Sequence, residues 1–210
     1  MAEQHKQQNK NQQKNQRKRR FNFRRPKKQQ PKKANYAFID SQNLNLGVQK
    51  VGWKMDWKKF RQWLKDKYNV EKAYMFIGYV PDNEKLYKQM QEAGYVVVLK
   101  PTVDMLMTEE ELKDEKHVTK GNADAELVLY GVKEMPHYDK AIVVSGDGDF
   151  YCLVEYLDQQ GKLAQVLAPN SHYSSLYKPY ESYITVLEHH KKALMYANVR
   201  RPKKVARKKQ

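Results

Sequence analysis

Ala141-Ile142-Val143-Val144-Ser145-Gly146-Asp147-Gly148-Asp149-Phe150 decides the reading of this chain. Its first four residues form a continuous apolar run, the pattern of a parallel strand buried on both faces. Two glycines and two acids follow at the strand's carboxyl end, the edge where open α/β sheets bind ligands. Carboxylates gathered there repel one another unless a cation or shared protons offset the charge. A similar arrangement occurs upstream, where Ala37-Phe38-Ile39 runs into Asp40-Ser41-Gln42-Asn43. Two strand ends carrying acids point to a metal-dependent hydrolytic site.

Working outward, apolar runs alternate with amphipathic segments. Strands are predicted at Tyr36–Ile39, Ala73–Tyr79, Tyr95–Leu99, Lys140–Val144 and Leu163–Ala168. A helix is predicted from Asp56, its N-cap, to about Tyr68, with Trp57, Phe60 and Trp63 or Leu64 on one face. Further helices are expected from Pro81-Asp82 to Ala93, from Asn122 to Glu134, and from Phe150 to Gln160. Gly94 and Gly161 stand where helices end. This alternation predicts a three-layer α/β fold with a mainly parallel central sheet covered on both faces. The stretch Pro101–Val118, with its acidic run Glu109-Glu110-Glu111, does not fit the scheme and is read as a flap.

Charge separates a body from two tails. Residues 1–33 hold 13 Lys and Arg against one Glu, and residues 199–210 hold seven with no acid. Of the total of 40 basic and 24 acidic residues, 20 and 23 remain in 34–198, a net charge of −3. The body suits one domain with a single core. The tail 1–33 is too polar to offset ordering entropy and reads as disordered. It lacks the apolar region of a secretory signal, and no apolar segment is long enough to span a membrane. The single Cys152 excludes an intramolecular disulfide and a cysteine-cluster zinc site. No His spacing points to zinc either. A cytoplasmic location follows.

Arg17-Lys18-Arg19-Arg20-Phe21-Asn22-Phe23-Arg24-Arg25 mixes cations for phosphates with aromatics that stack on bases. Concentrating basic charge at both ends of an acidic body favours RNA as the partner, with Arg19 and Arg20 among its contacts. A solubilising arm, a localisation signal or a membrane-surface contact is the bland alternative. No membrane partner is expected, and a homodimer is left open.

A third piece of the constellation is Lys120-Gly121-Asn122-Ala123-Asp124-Ala125-Glu126-Leu127. With Asn122 as cap, Asp124 falls in the first helical turn, where the macrodipole favours an anion. Taken singly, Asp124 reads as a capping acid, and Asp40, Asp147 and Asp149 as turn formers. Their convergence at one sheet edge favours a site. Hard cations such as Mg²⁺ take oxygen ligands and keep several waters, so a few carboxylates suffice to hold one.

These three stretches, Ile39–Leu44, Lys120–Leu127 and Val144–Phe150, resemble the three motifs of the NYN domain, a branch of the PIN-like nuclease superfamily. The resemblance runs from about Asn35 to Leu187. It implies a PIN-like fold and a Mg²⁺- or Mn²⁺-dependent ribonuclease. By the same resemblance Asp40, Asp124, Asp147 and Asp149 form the catalytic acids, the first three of them metal ligands. Asn43 and Ser145 would orient carboxylates or a phosphate, and Lys120 would contact a phosphate. Tyr130 stands where many members carry a further acid. A catalytically silent RNA-binding protein on the same fold is the main alternative. Gly146-Asp147-Gly148 is also similar to the loop of haloacid-dehalogenase-like phosphatases. Those enzymes need a second acid two residues after the nucleophile, where this chain has Gln42.

Overall fold

Along Asn35–Asp40 the side chains of Ala37 and Ile39 point to one face and those of Tyr36 and Phe38 to the other. All four are buried, so this strand, β1, is covered on both sides. The structure is a computed structural model that describes residues 33–80, 83–100 and 123–196. Among them the chain continues through helix α1 (Ser41–Lys50), helix α2 (Trp57–Tyr68), strand β2 (Val70–Gly78), helix α3 (Glu84–Glu92) and strand β3 (Val96–Lys100). Helix α4 (Asp124–Lys133), strand β4 (Ala141–Val144), helix α5 (Tyr151–Gln159) and strand β5 (Leu163–Ala168) follow. Strand β6 (Ile184–Val186) and the short helix α6 (Lys191–Leu194) close the described chain.

The strands form one six-stranded sheet in the order β3-β2-β1-β4-β5-β6, with every pairing parallel. The order reverses direction between β1 and β4. Doubly wound sheets open a crevice at the carboxyl end of such a switch point. Asp40 ends β1 and Ser145–Asp149 follows β4, so both acidic stretches sit at that crevice.

One core packs α1, α2 and α6 on Ala37, Ile39, Met75 and Val144; the other packs α4 and α5 on Phe38, Phe76, Val143 and Val166. These are the two outer layers of the predicted three-layer fold. The predicted cap Asp56 is observed, its carboxylate accepting from Lys58 N and Lys59 N at 3.1 and 3.2 Å. Asn69 then ends α2 in the left-handed region at φ 52°.

Four expectations are corrected. Helix α1 was not foreseen, because Asp-Ser-Gln-Asn reads as a turn and only Leu44 and Val48 are buried along it. Strand β6 has three half-buried residues and follows the 3-10 segment Ser175–Tyr183, so it offers no periodicity to read. The third strand is an edge strand: Val96 and Leu99 are exposed by 42% and 37%, where the apolar run suggested full burial. The cap position of α4 falls on Ala123 instead of Asn122, and no side chain caps it. Pro81-Asp82, the segment 101–118 and both tails except Lys33 lie outside the described residues.

Gly47 shows what the sheet demands of α1. A Cβ there would meet Pro169 Cβ and Cγ at 2.5 and 2.9 Å. Pro169 directly follows β5 and its ring cannot swing aside. Gly47→Ala gains about 1 kcal/mol of helix propensity but is overpacked by about 1–3 kcal/mol. We expect a thermal midpoint a few degrees below wild type. An unchanged or higher midpoint would show that the ring yields.

Candidate active site

Each acid reaches the crevice by a different local route. Asp40 leaves β1 with extended backbone and caps α1, its Oδ1 accepting from Asn43 N at 3.0 Å. Its Oδ2 accepts from the hydroxyl of the fully buried Ser145 at 3.2 Å. Ser145 Oγ in turn accepts from Asp147 N at 3.1 Å. The Asn43 side-chain oxygen accepts from Gly146 N at 2.9 Å, tying the start of α1 to the turn after β4. Asp147 caps a 3-10 turn, accepting from Asp149 N at 3.1 Å. Asp124 opens α4, whose first-turn amides favour an anion.

Asp40, Asp124 and Asp147 line one cleft of about 710 Å³. Burial foremost, then the neighbouring charges of Asp124 and Asp147, pushes the Asp40 carboxyl above its ordinary range. The bonds from Asn43 N and Ser145 oppose that rise. Asp40 thus caps a helix and also faces two like charges. Their mutual repulsion is the electrostatic setting that a cation relieves, and the donor set is all oxygen, as hard cations require. Among the described residues, however, no three His, Cys, Asp or Glu side chains form a ligand cluster. The carboxylates share an open cleft, which fits a cation held by one or two of them and by waters.

Other expected residues fall differently. Asn43 lines the cleft, whereas Ser145 lies behind it and acts through Asp40 and Asp147. Asp149 is exposed and does not line the cleft. Lys120, Arg19 and Arg20 lie outside the described residues. Tyr130 packs its ring on Tyr74 and Phe76, at 5.6 Å from each. Glu126 turns from the cleft toward Lys100, with 3.4 Å between Oε2 and Nζ.

Sequence reasoning missed Tyr177. Its fully buried phenol donates to the Asp147 carbonyl, holding the acidic turn from below. Burial and then the Asp147 charge raise its pKa, so it remains a donor. Nothing near Tyr177 in the sequence signals this, because the hydrogen bond depends on how the 3-10 segment folds back over the turn.

The described residues of the three motif stretches therefore meet at one switch point, and residues 36–188 match the NYN domain. The chain belongs to the NYN domain family. Among curated proteins it is similar to the Low amplitude and bright protein LabA of Synechococcus elongatus, 27% identical over 124 residues. That match covers 57% of this chain and 65% of LabA, slightly under two thirds of its length. Among solved structures, the fold is similar to a protein of unknown function from Vibrio parahaemolyticus, with a TM-score of 0.61 at 20% identity. The superposition covers 80% of this chain and 99% of that one. NYN domains are ribonuclease-like, generally act on RNA and typically use divalent metals. In this NYN domain no described helix is long and apolar enough to cross a membrane.

Proposed function

We propose that this NYN domain is a Mg²⁺- or Mn²⁺-dependent ribonuclease that hydrolyses phosphodiester bonds in its acidic cleft. The observation that carries the reading is the meeting of Asp40, Asp124 and Asp147 from three segments around one cavity at the β1/β4 switch point. In the proposal one or two of these carboxylates hold the metal directly and the remainder act on it through water. A bound divalent cation would activate water and offset the charge of the phosphoryl transition state. Asp40 is fixed for its task through both oxygens, by Asn43 N and Ser145 Oγ. Asn43 and Ser145 keep the two acidic turns in register, and Tyr177 secures the Asp147 backbone. Asp149, exposed and outside the cleft lining, is assigned an auxiliary role through the bond its amide donates to Asp147. Lys120, Arg19, Arg20 and the remaining cations of the tails supply phosphate contacts, a role supported by their charge alone. A cytoplasmic location belongs to the same proposal and is supported by the single cysteine and the composition.

A catalytically silent RNA-binding domain is the second reading, favoured by the open spacing of the carboxylates. End-labelled single-stranded and structured RNAs, incubated with purified full-length protein and Mg²⁺, Mn²⁺ or chelator, separate the two. Cleavage with either metal and none in chelator is the expected result. Binding in chelator without cleavage under any metal would establish the silent reading.

A further inference from the structure

The cleft has a second wall that the acidic chemistry does not use. The carboxyl end of β2 and the two residues after it, Phe76 to Val80, line it beside β1, where Asp40 pairs in register with Phe76. Leu46 of α1 and Leu86 of α3 complete this wall, and they are exposed by 56% and 38%. These apolar side chains lie open in the same cleft as the three acids. Tyr79, half-buried, lies with its ring 6.0 Å from that of Tyr87. Tyr87 is itself held, its phenol accepting from Val80 N at 2.8 Å and donating to Val80 O at 3.2 Å. The platform is therefore supported from behind. Asn45 and Asn83 also line the cleft, and the Asn83 side chain makes no cap bond to α3 although it stands at the cap position. Amides at the margin of an apolar surface match the hydrogen-bonding edge of a nucleobase.

We infer that this wall is a nucleobase subsite: Leu46, Tyr79 and Leu86 stack on an unpaired base next to the phosphate held at the carboxylates, with Asn45 and Asn83 at the base's edge. The inference rests on the RNA reading above and names its substrate class, single-stranded RNA. The acids and these side chains line one continuous cavity, which the inference assigns to the phosphate and the base of one nucleotide. A cavity of about 710 Å³ accommodates such a unit. A base locked in a duplex offers no free face to stack, so duplex RNA is excluded from the subsite.

The test compares a short single-stranded RNA with the same strand carrying abasic riboses, using full-length protein in chelator and then in Mn²⁺. Both strands have the same phosphates, so the phosphate contacts of the basic tails cancel in the ratio of affinities, and the cleft variants below separate the subsite from stacking on Phe21 and Phe23 of the tail. Wild type is expected to prefer the base-bearing strand by about 5–150-fold, the scale of one stacked base. Leu46→Ala with Leu86→Ala should bring that ratio most of the way to one, as should Tyr79→Ala. Tyr79→Phe, which keeps the ring, should retain it, and melting curves verify that each variant is folded. A wild-type ratio near one, or a ratio unmoved in the folded Leu46/Leu86 double variant, overturns the subsite while metal-dependent cleavage still supports the nuclease. Absent cleavage with the ratio preserved removes the nuclease reading and keeps the subsite. No binding of either strand removes both.

Discussion

Asp40→Asn is expected to abolish metal-dependent RNA cleavage while the protein remains folded and retains most of its RNA affinity. Partners that merely orient a metal ligand cost about 10–100-fold when removed, so losing a proposed ligand should cost more than about 100-fold in kcat. The fold should survive because Asn caps helices as well as Asp does. Its side-chain oxygen can still accept from Asn43 N, the bond that starts α1. The raised pKa of Asp40 sets the direction of the stability change. A carboxyl whose folded pKa lies above its ordinary 3.8 contributes stability that is fullest below 3.8. That contribution is lost as pH rises through the folded value. At neutral pH the apo wild type therefore holds an ionised, part-buried carboxylate facing Asp124 and Asp147, and the Asn variant does not. The variant should melt no lower than wild type at pH 7, with any advantage shrinking toward pH 4. Mn²⁺ should stabilise wild type by about 2.7 kcal/mol at a hundredfold excess over Kd and the variant much less. Near wild-type cleavage by the variant would remove Asp40 from catalysis. An unfolded variant would show that the carboxylate is structural, through the bond its second oxygen accepts from Ser145.

Removing residues 1–33 should weaken RNA binding and flatten its salt dependence, yet leave turnover of a short, saturating substrate nearly unchanged. Thirteen of the 40 basic residues lie there, and the body without either tail carries −3. Every phosphate that the arm no longer neutralises lowers the magnitude of the log–log salt slope by about 0.7 for a single strand. With about six fewer phosphates neutralised, the slope would fall in magnitude by about 4. The described fold begins its first strand at Asn35, so the truncation leaves the sheet intact. Unchanged affinity and slope would make the arm a solubility or localisation element. The RNA case would then rest on the cleft and the family alone.

The layered architecture is legible from residue order alone. Runs such as Ala141–Val144 are apolar at every position because a central parallel strand is buried on both faces, and that signal is local. Asp40 and Asp147 could be placed at strand ends for the same reason, since the acid follows closely on the apolar run. The cap at Asp56 and the helix-ending glycines Gly94 and Gly161, both at positive φ, were likewise readable from neighbouring residues. What lay beyond the sequence were features set by contacts between distant segments. Strand order is one: β1 lies between β2 and β4, and only that order turns two separate strand ends into one crevice. The burial of Ser145 behind Asp40 and the hold of Tyr177 on Asp147 are others, spanning 105 and 30 residues of chain. The exposed wall of Leu46, Tyr79 and Leu86 is the last. Their apolar character suggests core, and only the packed sheet, by filling both faces without them, leaves them lining the cleft.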